Sequence, residues 1–201
     1  MSSIQILTSN DKKISVKLKG ISLDYANALR RICLNGVPIF AIDTVDILEN
    51  SSILADEGIA HRLGLIPLKT ELSAIETSGD SDRIMLTLDS GDSIETRTIF
   101  SGEIESQDDT IKPISEKIPI VTLAPNQRIK FEAHARLGRG TEHAKWNSSN
   151  IATLTETDKD DEHILTVETT GALEPKDIIL ASINELSNRL DKFKETVSGL
   201  K

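Results

Sequence analysis

The chain has 201 residues, six of them aromatic, a formal net charge of −9 and one cysteine, which allows one large domain or two small ones around a core of Ile, Leu and Val. No apolar run reaches the roughly 18–20 residues that span a bilayer, no signal peptide is visible, and a lone cysteine rules out an internal disulfide, a four-cysteine zinc site and an all-cysteine iron–sulfur cluster, so the cytoplasm is the expected compartment. The acidic balance argues against a nucleic-acid site built on charge alone, because displacing counterions from phosphates takes a surplus of Lys and Arg.

From the N-terminus, residues 4–8 and 14–19 read as strands, the second with Ile14, Val16 and Leu18 on one face. Asn10 and Asp11 between them are turn formers, so the pair is a hairpin with one buried face. Ser22 is the expected N-cap of a helix over residues 23–34, with Asp24 in its first turn and an apolar stripe of Leu23, Ala26, Leu29, Ile32 and Cys33. Gly36 is expected to close it in the left-handed conformation, and Arg30 and Arg31 fall in its last turns. Residues 39–48 read as a strand and 56–63 as a short helix stopped by Gly64.

The texture changes over residues 71–120, where alternating runs at 84–88 and 94–100 are separated by Ser/Gly/Asp clusters. That is the pattern of a mainly β lobe. Residues 127–137 form its last clear strand, 147–162 read as a connecting loop or strand edge, and 163–169 return to a strand pattern. The longest element closes the chain, a helix running from Pro175 to about Leu200. Its apolar residues Ile179, Ile183, Leu186, Leu190, Phe193, Val197 and Leu200 recur at alternating gaps of 4 and 3, an a/d seam. The sheet of the same chain covers part of such a seam. The distal half is expected to meet another chain, because partner helices are what sustained a/d seams serve.

No phosphate-binding loop, nucleophile elbow or HExxH helix is present. His61, His134, His143 and His163 show no metal-ligand spacing, so neither a metal nor another cofactor is expected. Cys33 reads as a small buried hydrophobe, and the acidic run at 158–162 as a solvated loop without EF-hand spacing. One cluster stands out: His134, Arg136, Arg139, His143, Lys145 and Trp146 crowd into a single Gly-containing stretch. The plain reading is a charged loop. The functional reading is a contact site, since Arg and Trp dominate interface energetics.

Three segments, in order and spacing, carry a family resemblance. The first is Asn27-Ala28-Leu29-Arg30-Arg31-Ile32 followed by Val37-Pro38. The second covers residues 56–68 and contains Ala60-His61-Arg62-Leu63-Gly64-Leu65-Ile66-Pro67-Leu68. The third is Leu137-Gly138-Arg139-Gly140-Thr141-Glu142-His143-Ala144-Lys145-Trp146. Together they resemble the alpha-like subunits of cellular DNA-directed RNA polymerase, in their archaeal form. That form is similar to the third subunit of the eukaryotic nuclear enzyme and to the N-terminal region of bacterial alpha.

The resemblance implies an α+β fold of two domains. A discontinuous dimerisation domain of sheet plus two helices would comprise residues 1–45 and 156–201, with a mainly β domain inserted over 46–155. It implies a non-catalytic assembly subunit that heterodimerises with subunit L and docks the large catalytic subunits for transcription. The partner L interface would include Leu29, Ile183, Leu186, Leu190, Phe193 and Val197. Arg30, Arg31, Arg139, His143, Lys145 and Trp146 would contact the second-largest catalytic subunit. Small subunits N and P complete the implied partners, N near residues 56–68, with no direct nucleic-acid site. Many archaeal members carry a cysteine-rich insertion for iron–sulfur clusters after the segment matching His143-Ala144-Lys145-Trp146. Residues 147–162 hold no cysteine, so no cluster is expected.

Two other readings use the same residues. A homodimeric adaptor would use the seam symmetrically. A small enzyme would place His134 or His143 beside an acidic group in a concave pocket.

Overall fold

A computed structural model describes residues 3–71, 73, 83–92, 94–157, 159 and 161–199 of the chain. They fall into two compact units. One runs from the N-terminal end to Pro38 and resumes at Arg139, and the other is Ile39–Gly138.

The first unit holds strands β1 (Ser3–Ser9) and β2 (Lys13–Lys19), helix α1 (Leu23–Asn35), strands β9 (Ser149–Glu156) and β10 (Glu162–Thr169), and helix α3 (Pro175–Ser198). Its antiparallel sheet has the order β1-β2-β10-β9. Alternation sends Ile14, Val16 and Leu18 of β2 and His163, Leu165 and Val167 of β10 to one buried face. Both helices pack against this sheet and against each other. α1 contributes Ala26, Leu29, Ile32 and Cys33. Its N-terminus is held by Ser22, whose hydroxyl accepts from the Tyr25 amide at 3.4 Å. Leu23, expected in the stripe, is exposed instead.

Gly36 ends α1 with φ −99° and ψ −27°, in the right-handed region rather than the expected left-handed one. Close approach makes glycine necessary: a Cβ would stand 2.8 Å from Cγ2 of Ile32. Arg30 and Arg31 precede the last turn, because the helix continues to Asn35. Residues 147–162, read as loop or strand edge, contain the full edge strand β9, bonded to β10 alone. Only Ser149 and Ala152 of it are buried, so its apolar alternation is faint.

The second unit contains β3 (Ile39–Asn50), α2 (Asp56–Gly64), β4 (Arg83–Asp89), β5 (Arg97–Phe100), β6 (Glu105–Ser106), β7 (Pro119–Leu123) and β8 (Ile129–Gly138). Its main sheet has the order β3-β8-β4-β6, and β5 pairs with β7. Phe40, Ile42, Leu86, Leu88, Phe131 and Ala133 build the core with Ile59 and Leu63 of α2. α2 includes Gly64, one residue beyond the expected end at Leu63, and Leu65 caps it.

The breaks expected between residues 45 and 46 and between 155 and 156 fall inside β3 and β9. Pairing places the observed division elsewhere. β3 bonds to β8 from Ile39 to Asn50 and so belongs with the second unit, while β9 bonds to β10 and belongs with the first. The Ser/Gly/Asp cluster at 78–82 and the seam residue Leu200 lie outside the described residues.

Candidate partner-binding face

α3 changes character along its length. Ile178, Ile179, Ala181 and Ser182 are buried. Ile183 and Leu186 are half-buried. Leu190, Phe193 and Val197 are 54, 68 and 48% exposed. Length explains the change. A helix of 24 residues is about 36 Å long. An eight-residue strand such as β10 extends only about 26 Å, and four strands side by side span less. The seam therefore outruns the sheet that buries its first turns.

A second uncovered surface lies on the same unit. All seven residues of β1 are exposed. Ile4 pairs with Leu18 and Ile6 with Val16, so both point to the face that α1 and α3 cover elsewhere. They remain 49 and 56% exposed. Ile4, Tyr25, Leu29 and Ile183 line a cleft of about 550 Å³ between β1, α1 and α3. Leu29 is 2% exposed and forms the floor of this cleft rather than a projecting contact. Ile4, Ile6 and Tyr25 were not among the expected contact residues. The signal for the isoleucines was the hairpin register, which sets the first strand beside Ile14, Val16 and Leu18.

The expected large-subunit contacts separate into engaged and open groups. Arg30 is half-buried and donates to Asn27 Oδ1 at 2.9 Å and to the Ala152 carbonyl at 3.3 Å. Arg31 is exposed. Arg139 donates to the Gly36 carbonyl and pairs with Glu185 at 3.3 Å. His143 Nδ1 accepts from the Lys145 amide at 3.0 Å. The Lys145 ammonium sits 4.2 Å from the Trp146 ring centroid, a cation–π contact. Trp146 is 3% exposed and belongs to the core. Arg31 and His143 are exposed, Arg30, Arg139 and Lys145 are half-buried, and Trp146 alone of this group is withdrawn from solvent.

His134 lies on β8, 3.5 Å from Asp46, among outward-facing side chains of the second unit. His61 is exposed on α2. His163 is buried on β10, with neither ring nitrogen bonded. Among the described residues no three His, Cys, Asp or Glu side chains gather as a metal-binding group, and no helix is long and apolar enough to cross a membrane.

Two antiparallel α+β units, one with an uncovered strand and a helix whose distal half stays open to solvent, define the class of mixed α+β subunit to which the chain belongs. The family model described as the RNA polymerase Rpb3/RpoA insert domain matches residues 41–169. The DNA-directed RNA polymerase subunit Rpo3 of Pyrococcus horikoshii is 47% identical over 152 residues, covering 73% of this chain and 56% of that protein. The Rpo3 subunits of Pyrococcus furiosus and Thermococcus kodakarensis are 46 and 44% identical, covering 71 and 73% of this chain and 55 and 56% of theirs. The chain belongs to this family of archaeal alpha-like RNA polymerase subunits. It spans a little over half the length of these relatives.

Proposed function

We propose that the chain is a non-catalytic assembly subunit of an archaeal DNA-directed RNA polymerase, acting in the cytoplasm as one half of a heterodimer with subunit L. The observation that carries this reading is the exposed seam of Leu190, Phe193 and Val197 beside an uncovered β1 on the same unit. Apolar side chains left open in this number mark an interaction site. The cleft floored by Leu29 accepts a partner side chain, and the overhang of α3 supplies a helix for a partner helix to follow. On this reading the terminal unit is the dimerisation domain and the second unit the insert. Arg31, His143 and Lys145, with the more engaged Arg30, Arg139 and Trp146, stand on the side offered to the second-largest catalytic subunit. The insert, with α2, serves small subunits N and P. Nucleotidyl transfer belongs to the large subunits.

Co-expression with subunit L of a related archaeon, followed by light scattering, tests this. The expected product is a 1:1 heterodimer, lost in the double variant Leu190→Asp, Phe193→Asp. A symmetric homodimer of this chain, or a monomer indifferent to subunit L, overturns the reading.

A further inference from the structure

Residues 139–149 hold the end of α1. Arg139 Nε donates to the Gly36 carbonyl at 3.2 Å, and the Thr141 amide to the Asn35 carbonyl at 3.3 Å. The Ser148 and Ser149 hydroxyls donate to the Cys33 carbonyl at 2.9 and 2.7 Å. Cys33 and Asn35 carry carbonyls that a helix C-terminus leaves without intrahelical partners. The approach is tight: a Cβ on Gly140 would collide with the Asn147 side chain and stand 2.8 Å from Asn35 Cβ. The segment is a strap across the end of α1, and its basic residues are partly consumed by that task.

Arg139 also reaches α3, where Nη2 lies 3.3 Å from Glu185 Oε2. Glu185 Oε1 accepts from Arg189 Nε at 2.8 Å, one turn further along. The Glu185 side chain is 16% exposed, against 36 and 45% for the two arginines it joins. Its position is specific. Ser182 is the last buried residue of α3, and Leu190 is already open to solvent. Beyond Glu185, the Thr196 and Ser198 hydroxyls donate to carbonyls of α3 itself. Glu185 thus stands where the helix leaves its own core.

We propose that Glu185 is the positioning residue of the seam helix: by bridging Arg139 of the strap and Arg189 of the overhang, it fixes how the uncovered half of α3 leaves the unit. The meaning of that geometry for partner capture rests on the function proposed above. The bridge itself is a property of the free chain. Arg139 can serve α1 and α3 together because a planar guanidinium presents several donors in a fixed fork.

The test is amide hydrogen exchange on the full chain, comparing wild type with Glu185→Gln, Arg139→Met, Arg189→Met and the double variant Arg139→Met, Glu185→Gln. Glu185→Gln is expected to speed exchange about tenfold in residues 186–199, at the end of α1 (residues 33–37) and at Thr141. Amides of residues 39–138 keep their rates. Arg189→Met is expected to act within α3 alone, and the double variant to match its more severe parent. The proposal is overturned if Glu185→Gln leaves residues 33–37 and Thr141 at the wild-type rate, or if Arg189→Met loosens them equally. Affinity for subunit L, measured separately, distinguishes the two proposals. A chain that ignores subunit L yet shows these exchange changes refutes the assembly reading and upholds the bridge.

Discussion

At the scale of single residues, three side chains have consequences that can be measured. Asp89 at the end of β4 accepts from Arg128 Nε and Nη2 at 2.8–3.0 Å, from the Gly91 amide at 3.0 Å, and pairs with Lys130 at 3.2 Å. Arg128 above all, then the Gly91 amide, holds its carboxyl well below the usual carboxylate range. A carboxyl depressed on folding contributes stability above its unfolded pKa of about 4 and loses it as pH falls toward the folded value. Asp89→Asn should therefore lower the urea midpoint at pH 7, and its gap to wild type should close progressively below about pH 4. A gap independent of pH would contradict this. Burial pushes the Cys33 thiol up to about 11, against smaller opposing hydrogen bonds from Ser182 and its own backbone. The thiolate is the reactive form, so Cys33 should not react with Ellman's reagent at pH 8 until the chain unfolds. His163 is 7% exposed with both ring nitrogens unbonded. An unsatisfied buried polar group costs about 1–3 kcal/mol. His163→Leu, of similar size, should therefore raise the unfolding free energy by about 1 kcal/mol at pH 8.

At the scale of elements, the long helix decides most. Because Leu190 and Phe193 touch solvent, replacing both with Asp should change the stability of the free chain by no more than about 0.5 kcal/mol per site. Urea unfolding checks this, and a large loss would mean that the seam folds back on its own unit. The period of 3.5 residues was legible because the apolar residues of α3 recur in a narrow stripe along the helix whether or not the chain itself covers them, and β2, α1 and β8 were legible because each has one clean apolar face. β9 was obscured for the opposite reason. As an edge strand it buries only two of its eight residues, and a period needs both phases to be seen. Gly36 shows a different limit. Its presence after a helix was visible, but its cause is contact with Ile32, which depends on packing rather than local sequence. The strap over α1 was equally hidden. Arg139, His143, Lys145 and Trp146 looked like one basic contact loop, yet Trp146 is core and Arg139 is engaged through both Nε and Nη2. Clustering along the chain reports proximity, not which side chains remain free.

At the scale of the molecule, both units leave apolar side chains open, among them Leu48, Ile53 and Ile94 of the second, but they differ in how that surface is arranged. The second unit closes its sheet over α2 in a core that runs from Phe40 to Leu137. The first leaves β1, Leu190, Phe193 and Val197 open. A ligand that binds only the folded state stabilises it by RT ln(1 + [L]/Kd), about 2.7 kcal/mol at a concentration 100 times Kd. If the proposed assembly holds, subunit L should place that gain first where its contacts lie. Amide exchange in β1 and in residues 186–199 is therefore expected to slow by about a hundredfold at saturation, while amides of residues 39–138 change far less. Protection confined to residues 39–138 would place the partner on the other unit and refute the role given to the seam. Uniform protection of both units would mean that they unfold as one cooperative body, in which case the double variant Leu190→Asp, Phe193→Asp decides whether the seam is the contact.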